Sequence, residues 1–89
     1  MDTISAFVTQ VVGGDTVKIQ VTDENPFNRR TYNLYEQVRL TGLEAPEAGT
    51  PASSLAKTKL EKEMLGKYVR LMIYTREQSG RLIATYSLS

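Results

Sequence analysis

A chain of 89 residues is long enough for one domain with a compact core and no more. Hydrophobic residues make up 40% and charged residues 24%, an ordinary globular balance, and no apolar run approaches the roughly 18 residues a membrane span requires. With no cysteine and no histidine, disulfides, thiolate metal sites, Ser-His-Asp triads and Cys-His pairs are excluded, and a net charge of +1 lacks the basic excess usual in nucleic-acid binders.

Residues 1–5 show neither a basic n-region nor a long apolar segment. No signal peptide is visible there, so the chain reads as cytoplasmic or as a mature fragment. Residues 4–12 mix β-branched and apolar side chains, Gly13-Gly14 follows, and Val17, Ile19 and Val21 then alternate with Lys18, Gln20 and Thr22. Two such runs joined at a glycine pair predict a β-hairpin whose second strand is buried on one face. Residues 22–33 are polar, carry Pro26 and the Arg29-Arg30 pair, and predict a long, exposed and mobile loop.

A third strand is expected over residues 32–43, with Tyr35, Val38, Leu40 and Leu43 as its apolar side chains. After a turn-rich break at residues 44–49 comes the best helix signal in the chain, over about residues 51–65. Thr50 is a suitable N-cap, Pro51 suits the first helical position, and Gly66 is placed to stop the helix. Ala52, Ala56, Leu60 and Met64 recur every four residues, with Leu55 near the same face, and predict the core-facing stripe. Residues 68–75 and 81–88 read as the last two strands, joined by a polar turn at 76–80. Three strands, a helix and two strands predict a mainly β protein, a five-stranded OB-fold barrel filling residues 1–89 as a single domain.

Without histidine, acid–base chemistry near neutral pH falls to carboxylates, Lys, Tyr or water, and any metal site must be built from oxygen, which suits calcium or magnesium. Three stretches stand out: Gly13-Gly14-Asp15-Thr16-Val17, Arg39-Leu40 followed by Glu44-Ala45-Pro46-Glu47, and Gly80-Arg81-Leu82. Taken alone, each has a plain reading. Asp15 suits a hairpin turn, Glu47 a solvated loop, Arg39 a snorkelling strand residue and Arg81 a charged strand edge. Taken together, in this order, they resemble the staphylococcal-nuclease-like (thermonuclease) family across almost the full chain.

That resemblance implies a calcium-dependent phosphodiesterase that hydrolyses DNA or RNA with little sequence preference. It implies that Asp15, Glu44 and the backbone carbonyl of Ala45 hold Ca²⁺, with Glu44 standing where the family usually has an aspartate. Glu47 would orient or deprotonate the attacking water, and Arg39 and Arg81 would grip the phosphate. The alternative is a nuclease-like OB module that binds single strands or a protein partner without cutting. Arg29 and Arg30 are the expected weak nucleic-acid contacts. The other basic residues read as solvated surface. The five tyrosines read mostly as barrel packing, with base stacking as the alternative that OB-folds allow. Neither a membrane nor a particular oligomeric state is indicated.

Overall fold

The computed structural model describes residues 1–43 and 45–88. Its elements are β1 (Asp2–Val11), β2 (Thr16–Glu24), β3 (Tyr35–Leu40), α1 (Pro51–Met64), β4 (Tyr68–Arg76) and β5 (Leu82–Leu88). The strands close into a barrel in the order β1-β2-β3-β5-β4, with β3 and β5 parallel and every other pair antiparallel. This is the mainly β, five-stranded barrel with one helix expected from the sequence, and it is consistent with an OB-fold. No helix among the described residues is long and apolar enough to cross a membrane.

Alternation builds the interior. Ile4, Ala6 and Val8 of β1, Val17 and Ile19 of β2, Val38 and Leu40 of β3, Val69, Leu71 and Ile73 of β4, and Leu82 and Ala84 of β5 all point inward and are buried. Register shifts in β1 and β4 let these long strands bend around so small a core.

The helix plugs one end, though with less of its length than the apolar stripe suggests. Leu60 and Met64 are buried, Ala56 is half-buried, and Ala52 and Leu55 lie in solvent, Leu55 at 71% exposure. At about 100° per residue, Leu55 lies on the side of the helix opposite Met64, off the face that Ala56 and Leu60 share with it. The helix C-terminus is stitched down instead. Gly66, at φ +73°, donates its N–H to the Val8 carbonyl (2.9 Å), and Val8 donates to Lys67 (3.0 Å).

Two strand boundaries differ from the expected ones. β2 runs on to Glu24, and β3 covers 35–40 rather than 32–43. Leu43 still packs on the core from outside any strand, which is why the apolar pattern overshoots. The intervening loop is also tied down rather than loose. Asp2 is 3% exposed and accepts the backbone N–H groups of Arg29 and Arg30 (both 2.9 Å) and the Tyr32 hydroxyl (2.7 Å). Asn28 grips both the N–H and the C=O of Thr3.

These bonds hold the Asp2 carboxyl down at about pKa 2. The Arg29 N–H is the largest cause, followed by the Tyr32 hydroxyl and, against the opposing effect of burial, the Arg30 N–H and charge. A carboxyl depressed in the folded state stabilises the fold above its ordinary range and loses that effect as pH falls through its folded value. Asp2→Asn is therefore expected to melt below the parent protein at neutral pH. The gap should close as pH falls from about 4 towards about 2, as followed by circular dichroism. A gap that persists unchanged at the acid end would show that the carboxylate charge is not what holds the loop.

Candidate functional site

The turn between β1 and β2 is closed by the Thr16 carbonyl, which accepts the N–H groups of Val12 (2.8 Å) and Gly13 (3.2 Å). This sets Asp15 at the barrel rim, with its carbonyl accepting the Leu40 N–H (2.6 Å) and its neighbour Thr16 paired with Arg39. The side chains meet as the register requires. Asp15 Oδ2 lies 3.4 Å from Arg39 Nε, and Asp15 Oδ1 accepts the Thr16 hydroxyl (2.9 Å). The arginine is 51% exposed and the aspartate 19%, so this long contact is a weak surface pair of about 0–1 kcal/mol.

Arg81 arrives from the other side of the rim. The turn between β4 and β5 places Glu77 opposite it: Glu77 donates its N–H to the Arg81 carbonyl (2.7 Å) and accepts that of Gly80 (2.8 Å). Gly80 sits at φ +96°, which a residue with a Cβ adopts only with strain. The result is a 2.6 Å bond from Arg81 Nε to Glu77 Oε1. That bond holds the Glu77 carboxyl below its usual range. The charge of Arg39 pushes it further the same way, while that of Asp15 opposes. Arg81 in turn is held protonated more firmly, first by Glu77 and also by Asp15. Asp15, Arg39, Glu77 and Arg81 thus form one electrostatic cluster made by the turn before β2, by β3 and by the turn before β5.

Three of the expected site residues therefore converge: Asp15, Arg39 and Arg81. Glu47 lies on the exposed segment before α1, and its carboxylate has no partner among the described residues. Its backbone is fixed nonetheless. The Thr50 hydroxyl donates to the Glu47 carbonyl (2.7 Å) while accepting the Ser53 N–H (3.2 Å), so one side chain caps the helix and ties down Glu47. Ala45 is exposed, and Glu44 lies outside the described residues. Arg29 and Arg30 are exposed on the loop that Asp2 anchors, and no bond among the described residues links them to the rim cluster.

Among the described residues no three carboxylates come close enough to form a metal centre by themselves. Glu77 is the rim residue that sequence reasoning missed. Its signal was present in the spacing to Arg81, an acid four residues ahead across a glycine turn. The chain matches no protein-family model and no curated protein.

A second cluster sits beside the rim. Arg76 donates from Nη1 and Nη2 to the two Glu36 oxygens (2.8 and 2.9 Å) and to the carbonyls of Gly80 and Thr31. Its guanidinium carbon also lies 5.9 Å from the Tyr32 ring centre. Burial works against charge on Glu36, yet the bonds from Arg76 and from the Asn33 N–H lower its carboxyl below the usual range. One guanidinium therefore joins the long loop, β3 and the turn that carries Arg81.

Proposed function

We propose that this barrel is a phosphodiesterase of the nuclease type, acting on DNA or RNA without strong sequence preference. The observation that carries it is the meeting of Asp15, Arg39 and Arg81 at one rim, in the order that resembles the staphylococcal-nuclease-like family. Two guanidinium groups there offer planar forks suited to phosphate oxygens, and among the described residues each meets its carboxylate through Nε.

The candidate donors for a cation are all hard oxygens, the Asp15 carboxylate and the Ala45 carbonyl with waters, which fits calcium or magnesium better than zinc. Bound there, a divalent cation would supply Lewis-acid charge to the phosphate. The residues' own work is positioning and charge. Arg39 and Arg81 hold the phosphate and stabilise the negative charge it gains as water adds. Glu47 accepts the proton of that water while the new P–O bond forms and the ester P–O bond to the leaving sugar oxygen breaks, and solvent returns a proton to the leaving oxygen.

Incubation with single-stranded DNA and with RNA, with calcium and with a chelator, tests the proposal. Cleavage that needs the cation is expected. Intact substrate at high protein concentration in calcium and at alkaline pH would end it.

A second function is favoured by one specific finding: each rim arginine already has a carboxylate partner, and Glu47 has none. It is a binding module that holds nucleic acid without cutting. Salt-sensitive binding that survives chelation, with no cleavage under any condition, would mark it.

A further inference from the structure

The two rim arginines are held unequally. Arg39 meets Asp15 through Nε at 3.4 Å, and its side chain is 51% exposed. Arg81 meets Glu77 through Nε at 2.6 Å and is 31% exposed. Neither makes a hydrogen bond through Nη1 or Nη2 among the described residues. A single bond at Nε therefore sets how each guanidinium lies, and only for Arg81 is that bond short.

The turn that carries this pair is shaped without the Glu77 side chain. Its backbone closes on itself, from the Glu77 N–H to the Arg81 carbonyl and from the Gly80 N–H to the Glu77 carbonyl. Arg76, itself gripped by Glu36, donates to the Gly80 carbonyl from outside (2.8 Å). The carboxylate of Glu77 takes no part in any of these bonds. Nor is it a strong stabiliser of the fold, because both side chains of the pair are about a third exposed and ion pairs so placed contribute little. What the carboxylate does fix is the Arg81 guanidinium.

A guanidinium carries five donors in one plane. An oxygen on the Nε–H takes one of them and leaves the Nη1–Nη2 edge, which can meet two oxygens of one phosphate. A long arginine side chain gives up rotamer freedom when it grips an anion. Here that freedom is already removed before the anion arrives. The same carboxylate sets a negative charge near the anion's place, so its contribution is geometric and is made against its own charge.

We infer that Glu77 is a positioning residue for Arg81: its carboxylate holds Nε so that the Nη1–Nη2 edge stands ready for the phosphate. This rests on the phosphodiesterase reading of the rim and adds to it a residue that does not itself touch the substrate.

Glu77→Gln and Glu77→Ala test it together. Both remove the same charge, but only Glu77→Gln keeps a side-chain oxygen that can accept the Nε–H. Comparing the two variants with each other therefore cancels the charge and reads the hydrogen bond. With single-stranded DNA and calcium, Glu77→Ala is expected to turn over about 10- to 100-fold more slowly than Glu77→Gln, in kcat more than in KM. In an Arg81→Lys background the difference between them should largely vanish, since the lysine has no Nε to hold. Nitrogen-15 NMR supplies a signature apart from turnover. The Arg81 Nε–H signal, identified by its loss in Arg81→Lys, should persist in Glu77→Gln and be lost to solvent exchange in Glu77→Ala. In a chelator, inorganic phosphate followed at the backbone amides of Gly80 and Arg81 should bind Glu77→Gln more tightly than Glu77→Ala. Circular dichroism confirms that each variant is folded.

Cleavage by the parent, with Glu77→Gln and Glu77→Ala turning over alike, overturns the positioning role and leaves the enzyme standing. A parent that cuts nothing removes the nuclease reading. In that case tighter phosphate binding by Glu77→Gln than by Glu77→Ala keeps the positioning role, and equal binding overturns it. A parent whose rim amides do not respond to phosphate overturns it as well.

Discussion

Arg76→Met is expected to destabilise the protein by about 3 kcal/mol at neutral pH, lowering the melting temperature by roughly 12 °C or more. The cause is the partner left behind. The Glu36 side chain is 4% exposed and receives both nitrogens of the guanidinium, so without Arg76 a buried carboxylate has lost its counter-charge. Arg76 itself is 28% exposed, which places the effect at the lower end of what breaking a buried pair costs. Adding Glu36→Gln to Arg76→Met should recover part of the loss, because the double variant buries no unpaired charge.

Acid offers a second check. The folded-state carboxyl of Glu36 lies below its ordinary range, so its ion pair stabilises fully above that range and fades as pH falls through the folded value. In Arg76→Met the buried carboxyl is cheaply neutralised by protonation, and the difference from the parent should narrow as pH drops from about 7 to about 3. Urea unfolding of the three proteins at both pH values measures this. A single variant within about 0.5 kcal/mol of the parent would show that water already screens the pair.

Glu47→Gln is expected to slow cleavage of single-stranded DNA by about 10²- to 10⁴-fold, the range a lost general base accounts for. Gln is similar in size and keeps a hydrogen-bonding oxygen, so oligonucleotide affinity should hold while turnover falls. Arg81→Lys should cost about 10²- to 10³-fold in turnover, because a point charge replaces the fork that matches a phosphate. Single-turnover cleavage together with anisotropy in chelator separates the two effects. If Glu47→Gln cleaves as fast as the parent, Glu47 has no part in the proton transfer, and the hydrolytic scheme above is wrong.

How much of this was legible in the sequence depends on separation along the chain. The alternation of Val17, Ile19 and Val21 is a local signal, and it correctly marks β2. The cap at Thr50 and the stop at Gly66 are equally local, and both stand. Asp15, Arg39 and Arg81 were named through the family resemblance, and the topology gathers them because Asp15 immediately precedes β2, Arg39 lies beside the end of β3 and Arg81 immediately precedes β5. Leu55 was placed near the apolar stripe, but it lies about half a turn round the helix from Met64 and stays in solvent. The other errors arise where a long-range partner decides. Leu43 extended the apparent third strand because it packs on the core without a strand's hydrogen bonds. Nothing near residue 29 announces that Asp2, 27 positions away, will hold the loop. The Glu36–Arg76 pair spans 40 positions and has no local signature.

The parallel seam between β3 and β5 runs from Val38–Leu82 to Leu40–Ala84, the shortest ladder in a barrel whose other pairings are long. Its partners are far apart in the chain, though less so than those of β1 and β4, and it has the fewest pairs to offset the loop entropy, so its closure is expected late in folding. Arg39 belongs to one lip of this seam, and Arg81 stands immediately before the other. An anion gripped by both would act as a clasp across the join, so occupancy of the rim would also slow hydrogen exchange at the amides that zip the barrel shut.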